Sequence, residues 1–271
     1  MTHAPQKPAI ERVTVIANDP VATGVGLIVL RAPRCASLVR PGQFVHLRVA
    51  TGADIILRRP FSIHRAYADR IEILYQILGT GTLRLAEKPV GDDTMDLVGP
   101  LGQGWRTPDT LSHALLVAGG LGAAPLGMLA ERLAERGIAV TVAQGAPTAE
   151  RLVARDLFER VARRVELATD DGSVGEQGFV TGPVSRLLAE ESFDVVYACG
   201  PEPMQRAVAS LVSTADAQCQ VSLERLMACG IGACLSCVVS TTDGQKRACV
   251  DGPVFNAEEV VWNASETPPK H

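Results

Sequence analysis

The sequence lacks a basic stripe. Its 271 residues hold 26 Lys and Arg against 30 Asp and Glu, a formal charge of −4. The cations are scattered, so nothing in the chain would neutralise a phosphate backbone, and nucleic acid is not an expected partner. The opening MTHAPQKPAIER has no apolar core after its charged residues, which argues against a secretory signal and makes a reducing cytoplasm the expected compartment. Internal repeats and low-complexity tracts are absent too, and the tail NASETPPKH is expected to be loose. Thr110 to Ala130, TLSHALLVAGGLGAAPLGMLA, contains no Asp, Glu, Lys or Arg and is long enough to imitate a membrane span. Its interior GGLGAAP reads instead as a strand, a glycine turn and a helix, so no membrane span is expected.

At 46% hydrophobic residues the chain can build two or three cored domains. From Arg12 to Pro100 it runs in short β-branched segments, RVTVIA, VGLIVLRAP, QFVHLRV, FSIHRA, RIEILYQI and TMDLVGP, broken by Gly, Pro and Asp. That spacing predicts a small antiparallel barrel or sandwich over residues 1–100, with one helix near Thr82 to Lys88. After Pro100, buried strands such as HALLVAGG, IAVTVAQG and FDVVYACG alternate with helical stretches. This predicts a parallel sheet with helices on its faces, a nucleotide-binding type of domain over 101–220. The remainder, 221–271, is rich in Gly and poor in helical period, and would need a metal centre to hold it together. The expected class is β plus α/β with a small C-terminal subdomain.

Cysteine is scarce except in one place. Four of the seven, Cys229, Cys234, Cys237 and Cys249, fall within LERLMACGIGACLSCVVSTTDGQKRACVDGPVF. Seven is odd, and a cytosolic chain of this size does not need disulfides, so metal or redox chemistry is the better reading. The spacing C-x4-C-x2-C, then x11-C, reproduces over its first three positions the plant-type ferredoxin pattern for a 2Fe-2S centre. Gly230 and Gly232 would let backbone wrap closely round the sulfides, accepting positive φ. A four-cysteine zinc site would be lopsided here, since such sites usually carry two C-x2-C pairs; it and free buried thiols stay open as alternatives.

Other glycine turns are less specific. RRPFSIH ends an apolar run, and an Arg reaching a pyrophosphate with a Ser on a flavin edge would suit it, although a solvated arginine pair would read the same. LGTGT opening a helix at Leu78 to Thr82 supplies a phosphate-binding helix start. VAGGLGAAP follows a buried strand but is not G-x-G-x-x-G, so a strict dinucleotide fingerprint is missing and a purely structural turn remains open. ACGPEPM lies at a later strand-to-helix junction, where Cys199 is either a small buried hydrophobe or a contact for a nicotinamide. No basic cluster follows IAVTVAQG, Arg151 being the nearest guanidinium, so no clamp for a 2′-phosphate is evident and the balance leans to NAD. Cys35 and Cys219 read as ordinary buried or semi-buried thiols, and His46, His64 and His113 as structural.

With these residues in hand, the chain resembles the ferredoxin-NADP reductase superfamily through Arg59-Pro60-Phe61-Ser62 (R-x-[YF]-[ST]) and Cys199-Gly200-Pro201 (C-G-P). LERLMACGIGACLSC, ACVDGPVF, GPLGQGW and GGLGAAP are further similar to the electron-transfer subunits of NAD-linked dihydroorotate dehydrogenases. The resemblance implies FAD on Arg59, Pro60, Phe61 and Ser62, on Leu74, Tyr75 and Gln76, and on Gly81 and Thr82. It implies NAD(H) at Gly119, Gly120, Gly122, Cys199, Gly200 and Pro201, with Cys199 seating the nicotinamide, and a 2Fe-2S centre on Cys229, Cys234, Cys237 and Cys249. It also implies a partner, an FMN-containing catalytic subunit that oxidises dihydroorotate to orotate in pyrimidine biosynthesis, in a two-plus-two heterotetramer. Electron counting then orders the cofactors as NAD, FAD and 2Fe-2S, because only the flavin handles both hydride and single electrons. Sister subunits serving a hydrogenase, a sulfite reductase or a transhydrogenase share this build and stay open, as does a non-enzymatic zinc module.

Overall fold

The structure, a computed structural model, describes residues 8–50 and 55–262, so the expectations for MTHAPQK and NASETPPKH lie outside it. Eight strands build the first part: β1 (Ala9–Arg12), β2 (Thr14–Ala22), β3 (Val25–Arg31), β4 (Phe44–Arg48), β5 (Arg59–Ser62), β6 (Arg65–Tyr67), β7 (Arg70–Gln76) and β8 (Asp96–Leu101). They form two four-stranded antiparallel sheets, ordered β1-β8-β4-β5 and β2-β3-β7-β6. Alternation decides what goes inside: Val45, Leu47, Ile28, Leu30, Ile71 and Ile73 share one fully buried core. At the corners the Val13 amide donates to Met95 (3.1 Å) and the His64 amide to Glu72 (2.8 Å), so the sheets close into the expected small barrel.

Two short helices interrupt the barrel. The expected one is α2 (Thr80–Ala86); α1 (Pro33–Leu38) was not legible from local signals. Its N-cap, Ala32, has no capping side chain; the cap comes from Glu11 on β1, whose carboxylate accepts the amides of Arg34 (2.9 Å) and Cys35 (2.8 Å).

The second part is a seven-stranded sheet built from β9 (His113–Gly119), β10 (Ala139–Ala146), β11 (Arg164–Thr169), β12 (Glu176–Gln177), β13 (Val195–Cys199), β14 (Gln218–Ser222) and a last strand, Val254–Asn256. Between β14 and that strand the chain forms a hairpin, β15 (Val238–Thr241) and β16 (Gly244–Arg247), which makes Val254–Asn256 β17. The order is β12-β11-β10-β9-β13-β14-β17, parallel throughout except for β17, which runs antiparallel to β14. Helices α3 (Ala124–Glu135) and α4 (Arg155–Val161) cover one face; α5 (Thr181–Glu190) and α6 (Glu202–Val212) cover the other. On β13 the alternation is visible residue by residue, with Val195, Tyr197 and Cys199 on the first face and Val196 and Ala198 on the second. The span from Thr110 to Ala130 becomes β9, a 3-10 turn and the start of α3, and no helix among the described residues is long and apolar enough to cross a membrane.

Two joints set the barrel against the sheet. In GPLGQGW, Gln103 donates its amide to Gly252 (2.5 Å), Trp105 donates its amide to Pro41 (2.9 Å) and its indole N–H to Pro125 (3.0 Å). The stretch thereby ties the barrel, α3 and the C-terminal segment at one place. In the second joint, His64 bonds the Ala124 carbonyl through Nδ1 (3.0 Å) while its own carbonyl accepts the Met128 amide (2.8 Å). A Cβ at Gly127 would lie 2.3 Å from the His64 ring, so α3 carries glycine where the imidazole rests on it. Arg65 completes this joint with an ion pair to Glu131 (2.7 Å).

Candidate functional site

The arginine pair is divided by the strand. Arg58 turns to the nearly buried Asp96, reaching its carboxylate at 2.5 Å and its carbonyl at 3.0 Å, and Arg48 joins the same carboxylate. Arg59, one position on, lies over the first turn of α2: a Cβ at Gly81 would stand 2.8 Å from its Nε, so only glycine lets the guanidinium approach. Thr82 turns its hydroxyl back, accepting the amides of Leu78 (2.9 Å) and Gly79 (3.2 Å) and donating to the Gly79 carbonyl (3.1 Å). It holds the turn, and the first helical bond begins only at the Leu83 amide (2.9 Å to Gly79). A guanidinium beside the unsatisfied amides of a helix start is the donor set that a pyrophosphate takes.

Strand register sorts the other expected flavin residues. Across β4 and β5, Phe44 stands opposite Ser62 and His46 opposite Pro60 on the outer face, while Val45 opposite Phe61 faces the core. On β7, Tyr75 turns into the barrel, edge-on to Phe61 at 6.5 Å, and spends its hydroxyl on Asn18 (2.8 Å). Leu74 faces outward into the apolar cluster that also contains Cys199, Trp105 and Ala124. Leu74 and Cys199 thus belong to one apolar cluster that draws on both barrel and sheet.

In the sheet, the chain leaves β9 toward β10 on one side and returns to β13 on the other, so the topological switch lies between β9 and β13, where open α/β sheets bind ligands. GGLG and CGP sit at the adjoining ends of these two strands. A Cβ at Gly122 would fall 2.1 Å from the Cys199 carbonyl, one at Gly119 2.5 Å from Met204 and one at Gly200 2.9 Å from Gly119. Mutual packing of the two turns therefore accounts for three of the glycines. Gly120 differs: its φ is +54° and the space above it is open. Cys199 is almost completely buried, and burial raises its pKa, so it remains a thiol. Gly120→Ala should accordingly cost about 1 kcal/mol of stability from the left-handed backbone while raising KM for NADH; Gly122→Ala should cost about 1–3 kcal/mol or more from overpacking. Thermal unfolding and NADH kinetics on both variants separate the glycine facing open space from the packing ones.

The four cysteines of the C-terminal segment draw together as two pairs. The Cys229 sulfur accepts the amides of Ala233 (3.3 Å) and Cys234 (3.4 Å), and Cys234 touches the Ser236 hydroxyl (3.2 Å). Those contacts with Ser236, followed by Cys229, bring the Cys234 pKa down to about 6. Cys249 lies against Cys237, its pKa pushed up to about 12 by burial and then by that neighbour. Gly230 and Gly232 adopt φ of +70° and +84°, the left-handed backbone that their place in the sequence predicts. Arg247 donates to the Gly232 carbonyl (3.2 Å) and pins the loop to β16. Among the described residues no group of three or more Cys, His, Asp or Glu converges on a single ion. A centre with two irons takes thiolates in pairs, which fits Cys229 with Cys234 and Cys237 with Cys249; amides aimed at sulfur fit it as well.

The cysteine loop rests on the barrel. Phe44 packs in one cluster with Cys237, Cys249 and Phe255, and a Cβ at Gly230 would lie 2.8 Å from His46 Nδ1. The outer face of β4 and β5 thus carries Ser62 at one end and the cysteine loop beside it. His46, read from the sequence as structural, is wholly buried, neither ring nitrogen has a hydrogen-bond partner among the described residues, and burial, then Arg58 and Arg59, take its pKa down to about 4. The available signal was FVHLR itself, where alternation sets a histidine on the face opposite Val45 and Leu47. Cys35 is buried and Cys219 half-buried, as expected.

Comparison with known proteins agrees with this layout. The model of the iron-sulfur cluster binding domain of dihydroorotate dehydrogenase B matches residues 224–261, and that of an oxidoreductase NAD-binding domain matches residues 116–210. The electron transfer subunit of dihydroorotate dehydrogenase B (NAD+) from Geobacillus sp. (strain WCH70) is 40% identical over 93% of this chain and 98% of its own. The corresponding subunit from Desulforamulus reducens is 39% identical over 92% and 97%. Among solved structures, that of an NADH-dependent reduced ferredoxin-NADP oxidoreductase superposes with a TM-score of 0.84 at 31% identity, over 93% of this chain and 90% of that one.

Proposed function

The chain belongs to the family of electron transfer subunits of NAD+-linked dihydroorotate dehydrogenase B, and from that premise we propose how its residues divide the work. It is an oxidoreductase subunit that uses FAD, a 2Fe-2S centre and NAD(H). The dihydroorotate-linked reading takes precedence over the hydrogenase, sulfite reductase and transhydrogenase alternatives, and over a zinc module. When bound, FAD exchanges hydride with NAD(H) and single electrons with the iron-sulfur centre.

Arg59 and the first-turn amides of α2 hold the pyrophosphate of FAD, with Gly81 giving the room and Thr82 fixing the turn. Ser62 hydrogen-bonds the flavin edge from the outer face of β5, beside Pro60; Phe61 and Tyr75 stiffen the strands behind it, and Leu74 and Gln76 line the ring site. Gly119, Gly120 and Gly122 with Cys199, Gly200 and Pro201 receive the dinucleotide at the switch point, Gly120 facing it. Cys199, kept neutral by burial, acts there as a small seat for the nicotinamide and not as a nucleophile. Cys229, Cys234, Cys237 and Cys249 are the four ligands of the 2Fe-2S centre. The domain division follows the same roles: 1–100 for FAD, 101–220 for NAD and 221–271 for the centre, with β17 returning from the last to complete the sheet of the second.

The partner is an FMN-containing catalytic subunit in a two-plus-two complex, which hands electrons from dihydroorotate through this chain to NAD+. Leu226, Ile231 and Leu235 are exposed in the same segment as the exposed Cys234, apolar side chains suited to a protein partner. The observation that carries the whole reading is the docking of the cysteine loop on the strand pair that bears Ser62. Anaerobic titration of the purified chain tests it: NADH or dithionite should deliver about three electrons per chain, two to FAD and one to the centre. A colourless chain, or one that takes up two electrons only, would remove it.

A further inference from the structure

A neutral imidazole has one N–H and one lone pair, and leaving a buried polar group unpaired is unfavourable. Other histidines find partners: His64, between β5 and β6, bonds Ala124 through Nδ1 (3.0 Å), and His113 on β9 bonds Ser192 and Thr141 (3.0 Å each). His46 does not, although it is completely buried. Its position says what kind of group is missing. It stands on the outer face of β4, under Gly230, the residue after Cys229. Across the ladder its partner is Pro60, which has no N–H, and two residues along Phe44 faces Ser62. Gly230 has no side chain to meet the ring, and its left-handed backbone brings the loop within van der Waals reach of it.

We propose that His46 donates a ring N–H to a sulfur of the 2Fe-2S centre held by Cys229, raising the reduction potential of that centre and holding the cysteine loop on the flavin-binding strand pair. The inference rests on the cofactor reading above. Thiolate and sulfide sulfurs are acceptors, and the reduced centre carries one more negative charge than the oxidised one. A donor aimed at it therefore stabilises the reduced form more. His46 is a positioning and tuning residue in this account, set between the centre and the strand that carries Ser62.

The test uses the full chain loaded with FAD and iron. His46→Phe keeps a flat ring of similar size without a donor, and His46→Gln keeps an N–H. His46→Phe should make reduction of the centre about tenfold less favourable, 59 mV for a one-electron couple, with His46→Gln shifted less and the flavin potential unmoved. Wild-type chain made with nitrogen-15 histidine needs no variant: pulsed EPR of the reduced centre should show coupling to a histidine nitrogen, and an exchangeable proton beside it. An iron-loaded chain without that coupling, or a His46→Phe chain whose flavin potential moves while that of the centre stays, overturns this inference alone. A wild-type chain that holds no iron overturns the cofactor reading and this inference with it, and iron analysis distinguishes that case before any potential is measured.

Discussion

Cys249→Ser is expected to strip the chain of its iron, from about two atoms to near none, and to abolish electron delivery from the catalytic subunit while NADH still reduces a two-electron dye. Cys249 and Cys237 lie nearly buried in the cluster that includes Phe44, Leu101, Val221 and Phe255. Loss of one ligand therefore removes both a ligand pair and the clamp that joins the C-terminal segment to the barrel and sheet. In the proposed division of work NAD and flavin chemistry rest on Arg59, Ser62 and the β9 and β13 turns, none of which uses these sulfurs, so the two activities should separate. Iron analysis, visible absorption and the two assays on one preparation check this. Dye reduction falling together with orotate-linked turnover, at unchanged flavin content, would mean that the halves are not independent.

Arg59→Ala should weaken FAD binding by roughly 10- to 150-fold, the equivalent of about 1.5–3 kcal/mol for a charge-assisted hydrogen bond. Arg58→Ala should leave FAD affinity within about threefold and lower thermal stability instead, because Asp96 is nearly buried and Arg58 supplies its 2.5 Å ion pair. Flavin titration into apoprotein and thermal unfolding of both variants give a crossed result. Equal loss of flavin in both would show that the strand does not divide the pair.

That contrast shows where the sequence stops. RRPFSIH made an arginine that reaches a phosphate possible, but two adjacent arginines read alike until register sends Arg58 to Asp96 and Arg59 to Gly81. The barrel and the parallel sheet were legible because their signals are local: period-two runs bounded by Gly and Pro, then strands alternating with helices. Helix α1 was not, since its cap is Glu11, distant in the chain. Nor was the return of β17, because a three-residue strand such as Val254–Asn256 has no period to read. The cysteine spacing named the centre from within one segment. What that segment touches, Phe44 and His46 on β4, is a tertiary fact, so a histidine read as structural from its isolation is, among the described residues, left with both ring nitrogens unpartnered. Thr82 illustrates the converse: it is where the motif puts it, yet its hydroxyl is taken up by the turn, accepting the amides of Leu78 and Gly79.

This chain should move electrons between NAD(H) and a separate catalytic subunit, with dihydroorotate oxidised on that subunit. Mixing the purified chain with an FMN-containing dihydroorotate-oxidising subunit, dihydroorotate and NAD+, and following NADH at 340 nm together with orotate, tests it most directly. NADH and orotate should form in equal amounts only when both proteins are present. Orotate and NADH produced by this chain by itself, or no coupling between the two proteins when each carries its full complement of cofactors, would contradict the account.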